Sequence, residues 1–533
     1  MPLEWTDRAD VVVVGFGGAG ACAAVEAARA GADVLVLDRF TGGGATAVSG
    51  GVVYAGGGTS VQRAAGVADT PSAMFDYLSQ EVGDVVAPAT LRSFVDSSPA
   101  MVDWLAGLGV PFDPSPCPFK TSYPPDEYYL YHSGSENAWP FRSLAAPAAR
   151  GHRAHGRGTS GRVLFAALAA AARSSGARVL SWTTAVGLVV EDGRVVGVEC
   201  RTLSAAPARV RRRLARLHRL AVKPGLYAPA LARRLHRRIA SLESRWGKPL
   251  FVSAERGVVL AAGGFVNNRS MMREHAPAYR GGLPLGTQGD DGSGISLGVS
   301  AGGTVARMTS VSAWRFLTPP SALLRGILVD PTGARFVDES SYGAAIGSRV
   351  VAGGGRAWLL VDAPIVAAAR RSLRSETLWF QRLQAWYLLG WSRVRGESVP
   401  AMARRAGISP EGLAATMASY GSTPDAFGKD PSLVAPLSTP PYTLIDCSYG
   451  PRLGYPCPVL TLGGLVVSES TGEVLSASGT PVPGLYAAGR NAVGICSNSY
   501  VSGLSLADCV FSGRRAGQHA ATQSPALPPQ SSI

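Results

Sequence analysis

Residues 10–38 read DVVVVGFGGAGACAAVEAARAGADVLVLD. Val11 to Val14 is a β-branched run closed by glycine and too short for a helix, so it predicts a buried parallel strand. Gly15, Gly17 and Gly20 follow in G-x-G-x-x-G spacing. Gly15 permits a tight turn, Gly17 admits a pyrophosphate to the backbone, and Gly20 lets helix and strand pack closely. The small residues from Ala21 to Ala30 predict a helix whose N-terminus offers free N–H groups to phosphates. A second strand ends at Asp38, where a carboxylate binds ribose hydroxyls. Strand, glycines, helix, strand and acid in this order predict a dinucleotide-binding unit.

The chain has 533 residues, 46% hydrophobic and 17% charged, enough for a large core and two or three domains. Its 65 glycines show no collagen period and point to tight turns and cofactor loops. The N-terminus carries acids and no apolar core, which argues against a signal peptide. No run of 18 apolar residues predicts a spanning helix. The seven cysteines (22, 117, 200, 447, 457, 496, 509) never form C-x-x-C. Buried free thiols in a reducing, cytoplasmic compartment are therefore expected, with no metal site. Net charge is +14, but residues 206–250 hold thirteen Lys/Arg and one acid, Glu243. The basicity belongs to that segment. No stacking aromatics alternate with its basic residues, so nucleic acid is not the expected partner.

Beyond Asp38 a small-residue loop runs from Thr41 to Gly58. Helices are expected across Ser72–Leu108, an irregular aromatic stretch across Pro111–Arg153, and a helix across Gly161–Ser175. Strands follow, with Asp192-Gly193 as a type I′ hairpin turn. Within 206–250, Val210, Leu214, Leu217 and Ala221 form one apolar stripe. Leu231, Leu235, Ile239, Leu242 and Trp246 form another. With Pro224-Gly225 between them, this reads as a basic helical hairpin. Two uses stand open for it: a solvated pair packed on the protein, or peripheral attachment to the inner face of an anionic membrane. Gly257–Gly264, Val459–Leu465 and Gly484–Gly489 are expected to rejoin the cofactor sheet. The aromatic run Thr377–Trp391 reads as core, or as a lid dipping into an apolar substrate or lipid. Residues from 523 are expected to be disordered.

Gly15-x-Gly-x-x-Gly20, the Gly42–Gly58 loop, Val259–Gly264, Arg335-Phe-Val-Asp-Glu339, Thr461-Leu-Gly-Gly464 and Leu485-Tyr-Ala-Ala-Gly489 together resemble the fumarate reductase/3-ketosteroid dehydrogenase flavoproteins. The resemblance covers most of the chain outside 206–250 and the tail. It implies an α/β architecture: a discontinuous Rossmann-like FAD-binding domain (1–306 and 442–522) with an α+β substrate domain (307–441) inserted. It implies FAD held by Gly15, Gly17, Gly18, Ala19, Gly20, Asp38, Arg39, Ala45, Thr46, Ser49, Gly50, Gly51, Val186, Ala262, Gly263, Asp291, Gly489, Arg490, Ser505 and Leu506. No His or Cys lies in the Thr41–Gly58 loop, so the flavin is expected to be non-covalent.

Fumarate reductases carry a His where this chain has Leu460, and Asn491–Ser505, where their substrate-facing residues lie, contains neither Arg nor His. A dicarboxylate left unpaired there would cost several kcal/mol, so an uncharged substrate is expected. Ser499-Tyr500-Val501-Ser502-Gly503 is similar to the Tyr-x-Ser of the 3-ketosteroid Δ4-(5α)-dehydrogenases, and Tyr342 matches a second tyrosine of that group. The resemblance assigns Tyr500, with the Gly503 amide, to the ketone oxygen, Ser502 to the α-proton and Tyr342 to the relay. It implies insertion of a 4,5 double bond into a 3-keto-5α-steroid, with an unassigned electron acceptor. Δ1-desaturation, another cyclic-ketone oxidation, and a membrane-associated electron-transfer flavoprotein stay open beside it.

Overall fold

The computed structural model describes residues 4–421, 424–450 and 454–525. The first strand, Asp7–Val14, lies in the middle of an eight-stranded sheet. Across it the order is Glu473–Leu475, Pro481–Ala487, Lys248–Leu260, Asp7–Val14, Val34–Asp38 and Arg178–Ser181. Val11 pairs in parallel with Val34 on one side and Gly257 on the other. Side chains alternate along the strand. Val11 and Val13 therefore pack under helices Gly18–Arg29 and Leu504–Thr522, while Val12 and Val14 enter a second core. Both faces are covered, which is why the run is uniformly apolar. Thr183–Glu191 and Arg194–Thr202 form the expected hairpin, with positive φ at Asp192 and Gly193.

Between the two contributions to this sheet, Ile327–Val329, Trp358–Val361, Tyr442–Asp446 and Arg393–Gly396 form an antiparallel sheet. Helices Ala363–Glu376, Trp379–Gly390, Val399–Ala406 and Pro410–Ser419 accompany it around a separate core. Of the late segments, only Pro481–Ala487 and its neighbour rejoin the cofactor sheet. Pro458–Thr461 instead pairs with Leu283–Pro284 and Val311–Ala313, and Gly464–Leu465 with Val305–Ala306. A short apolar run signals a strand but not its neighbours.

The basic segment forms two helices, Ala208–Tyr227 and Pro229–Trp246. The break falls at Ala228 rather than at Pro224-Gly225, because the residue before Pro229 is driven out of helical geometry. Among the described residues no helix is long and apolar enough to cross a membrane. Residues 526–533 of the expected disordered tail lie outside the described residues.

Candidate active site

The Gly15 turn, the start of helix Gly18–Arg29 and the loop after Asp38 border one elongated cavity. Gly15 has φ +103°, and a Cβ there would run into the Ala261 carbonyl. Only glycine lets the turn pass beneath the neighbouring strand. Gly17, Gly18, Ala19, Asp38, Arg39, Ala45, Thr46, Ser49, Ala262, Gly263, Arg490, Ser505 and Leu506 line the cavity, as does Tyr500. The Thr46 hydroxyl accepts from the Gly18 amide at 3.0 Å and so fixes the loop against the helix start. Helix Leu504–Thr522 begins at the cavity wall, so two helix N-termini border it.

This wall suits a dinucleotide. Its glycine backbone permits close approach, and the buried Arg490 keeps Nη1 without a partner while Nη2 is 2.5 Å from Asp290. Arg39 is held by Glu243 and Asp291 at 3.3 and 2.9 Å.

Six residues expected at the cofactor do not line the cavity. Gly20 packs under Gly15, Gly50 lies against the Tyr123 ring, Gly51 against Ser160, and Gly489 against Ala19 and Cys509. Val186 is exposed, and Thr183–Ala185 form that wall instead. Asp290 faces the cavity, whereas its neighbour Asp291 holds Arg39 and the amide of Ser293. Asp38 reaches the cavity, but its oxygens already accept from the amides of Phe16, Phe40 and Gly42. It ties the loop together as well as facing the ribose position.

His218 and Val222 of the basic hairpin also line the cavity, a role the stripe pattern had not revealed. His218 stacks on Phe40 with centroids 4.3 Å apart, and His236 meets the same ring edge-on. Burial pushes His218 down to about 4, so the imidazole is neutral. Both stripes of the hairpin pack with Phe40 and Trp182. The one acid of the segment, Glu243, pairs with Arg39.

At the other end, the residues around Tyr500 form a turn, not the extended strand that would put 500 and 502 on one face. Leu504 N–H donates to the Val501 carbonyl, and Gly503, with φ +92°, starts the final helix. Tyr500 stacks near Trp314, with centroids 5.0 Å apart, and lies 6.5 Å from Tyr342. Burial raises Tyr500, and the nearby Gly503 backbone works against it. The Ser502 hydroxyl is 3.2 Å from Tyr131 Oη, and it lies near enough to Tyr342 to work against that phenol's raised value. Burial, reinforced by the neighbouring tyrosines, holds Tyr342 well above the usual phenol range. Burial does the same for Tyr131, against the Ser502 hydrogen bond. All are neutral donors at ordinary pH.

Tyr131, within the aromatic stretch Pro111–Arg153, is a member that no sequence motif marks. Its pairing opposite Gly151 brings it to Ser502. Tyr342 is positioned by Arg335–Glu339: Arg335 binds Glu339 at 2.7 Å and Asp425 at 2.5 Å, and Lys429 closes the network at 3.0 Å. The Tyr342 amide donates to Ser135 Oγ at 3.0 Å. Phe316 and Leu317 adjoin this cluster, and Lys120 nearby is spent on Glu136.

A family model described as "FAD binding domain" matches residues 10–503. The 3-oxo-5-alpha-steroid 4-dehydrogenase of Comamonas testosteroni is 37% identical over 508 residues, covering 91% of this chain and 93% of its own. The crystal structure of 3-ketosteroid-delta4-(5alpha)-dehydrogenase from Rhodococcus jostii RHA1 in complex with 4-androstene-3,17-dione superposes with TM-score 0.81 at 33% identity, covering 98% of this chain and 99% of that one. A 3-ketosteroid delta1-dehydrogenase from Sterolibacterium denitrificans shares the fold, with TM-score 0.64 at 20% identity over 97% of this chain and 100% of its own.

Proposed function

The chain belongs to the FAD binding domain family, and from that premise we propose that it desaturates a 3-keto-5α-steroid to the 4-ene-3-ketone. It is an FAD-dependent oxidoreductase of the steroid dehydrogenase kind. The observation that carries the reading is the meeting of Tyr500, the Gly503 amide, Ser502, Tyr342 and Tyr131 at one end of the dinucleotide cavity. The 37% identical relative, named a 4-dehydrogenase, supports the choice of ring position.

Bound FAD supplies the acceptor for the hydride that leaves C5. Gly15–Ala19 and Arg490 would hold its charged part, and Asp38 with Thr183–Ala185 its nucleoside. The Tyr500 hydroxyl and Gly503 amide take the C3 oxygen, whose charge grows as the C4 proton leaves. One preorganised donor of this kind is worth roughly 2.7–4 kcal/mol in the transition state. Ser502 takes the C4 proton. A serine alone is a weak base, so it takes the C4 proton as its own hydroxyl proton moves to the phenol oxygen of Tyr342 or Tyr131, which in turn releases its proton to solvent. Trp314, Phe316 and Leu317 offer an apolar wall to the rings. About 300 Å² of steroid surface buried there contributes roughly 7 kcal/mol before association costs.

Two finer readings accompany this one. Residues 307–441 serve as the substrate domain between the halves of an FAD domain. The outward arginines of 206–250, among them Arg211, Arg212, Arg216, Arg234 and Arg238, offer electrostatic contact with an anionic membrane face. The test of the main reading is anaerobic mixing of oxidised holoenzyme with 5α- and 5β-saturated 3-ketosteroids. The 5α ketone should bleach the flavin absorbance. No bleaching by either, or return of the flavin colour when fumarate is added to chemically reduced enzyme, would overturn it.

A further inference from the structure

Helix Trp379–Gly390 turns Gln381, Ala385, Leu388 and Leu389 inward. Its other face carries Trp379, Leu383 and Trp386, at i, i+4 and i+7, which are 71%, 53% and 54% exposed. Trp391, just past its end, is 82% exposed. An exposed apolar stripe of this kind on a folded enzyme marks an interaction surface. Its chemistry is specific: tryptophan is enriched where water meets lipid headgroups.

The surroundings are basic. From residue 366 to 396 there are six arginines (370, 371, 374, 382, 393 and 395) against one acid, Glu376. Glu376 is turned inward, accepting from the amide and hydroxyl of Ser321 at 2.6 and 2.9 Å. Among the described residues, ion pairs in this part of the molecule are made by Arg335, Lys429 and Arg142. Burial and then its neighbours Arg370 and Arg395 hold Arg393 below its usual range. Arg382 lies within hydrogen-bond reach of the Arg374 carbonyl. The positive charges therefore border the aromatic face.

The helix also reaches the loop beside the cavity. Gln381 Nε2 donates to the Tyr123 carbonyl at 3.0 Å, and the Tyr123 hydroxyl donates to Gly50 at 2.7 Å. The Tyr387 ring packs on Gly454. We propose that this face seats the enzyme on an anionic phospholipid bilayer, with Trp379, Leu383, Trp386 and Trp391 in the headgroup layer and the arginines on lipid phosphates. An amphipathic helix lying in the interface binds through buried apolar area together with attraction to anionic lipid. The basic hairpin differs. Most of its two stripes packs with Phe40 and Trp182, Leu231 being exposed, and it presents charge without an exposed tryptophan face.

The test uses full-length, FAD-loaded enzyme and vesicles of phosphatidylcholine with or without phosphatidylglycerol. The wild type should float with the anionic vesicles, and brominated lipid should quench its tryptophan fluorescence. The W379S/W386S/W391S variant, with flavin absorbance and circular dichroism unchanged, should bind about tenfold more weakly or worse. An R211Q/R212Q/R216Q variant in the hairpin should still float. The proposal is overturned if the wild type does not float or is not quenched. It is also overturned if the hairpin variant loses binding while the tryptophan variant keeps it, or if light scattering finds a dimer that the tryptophan variant dissolves. None of these readouts depends on turnover, so they stand apart from the steroid reading.

Discussion

Replacing Tyr500 by Phe removes one oxygen from the site and little else. The ring keeps its neighbours, Trp314 at 5.0 Å and Tyr342 at 6.5 Å between centroids. The residue is half-buried, and the Gly503 backbone lies beside its hydroxyl. The fold should therefore change by less than about 1 kcal/mol. The transition state, however, loses the stronger of two donors to the developing oxyanion. At roughly 2.7–4 kcal/mol per donor, the bleaching rate should fall by about 10²–10³. The donor acts more on the enolate-like state than on the ketone, so kcat should fall far more than KM rises. Stopped-flow flavin reduction by a 5α-3-ketosteroid under anaerobic conditions measures this directly, with the flavin content of each preparation as control. A Y500F enzyme reduced within about threefold of the wild-type rate, a difference well under one donor's worth, would refute the assignment of the oxygen-binding group.

Further outcomes follow from the same geometry. S502A should lose about 10²–10⁴ in flavin reduction, and Y131F less, because Tyr342 still flanks Ser502; equal losses would make Tyr131 the base. H218A removes the ring stacked on Phe40 and should weaken FAD binding by about 3–10-fold in a fluorescence titration, with unchanged affinity placing the hairpin away from the cofactor. Buried Glu81, between Ser499 and Tyr77, is pushed up to about 7 by burial. Its folded value lies above its unfolded one, so the stability it contributes is full at low pH and is lost as pH rises through 7. E81Q should abolish that loss, which is on the order of 3 kcal/mol, in denaturant melts at pH 5 and pH 8; parallel wild-type and variant profiles would refute it.

What was legible in the sequence was local. The strand, glycine turn, helix and second strand of residues 10–38 each follow from neighbours in the chain, and the structure has them where expected. The seven cysteines are buried and free. Resemblance pointed to Tyr500, Ser502 and Tyr342, which come together although 158 residues separate the first and last. Tyr131 stayed hidden because only the pairing of Leu130–Tyr131 with Gly151–Arg153 brings it to Ser502. The hairpin stripes announced burial but not against what; they meet Phe40 and Trp182, beside the cavity that His218 and Val222 line. Asp290 and Asp291 differ by one position and face opposite ways, a distinction that no composition or spacing carries.

The central claim is that an uncharged ring ketone, held at its oxygen by Tyr500 and Gly503, loses hydrogen from C4 and C5. Incubating the purified flavoprotein with a 5α-saturated 3-ketosteroid and an artificial electron acceptor, and locating the new double bond by NMR, tests it most directly. The account predicts the 4-ene-3-ketone. A 1-ene product, or recovery of unchanged steroid from flavin-replete enzyme, would contradict it.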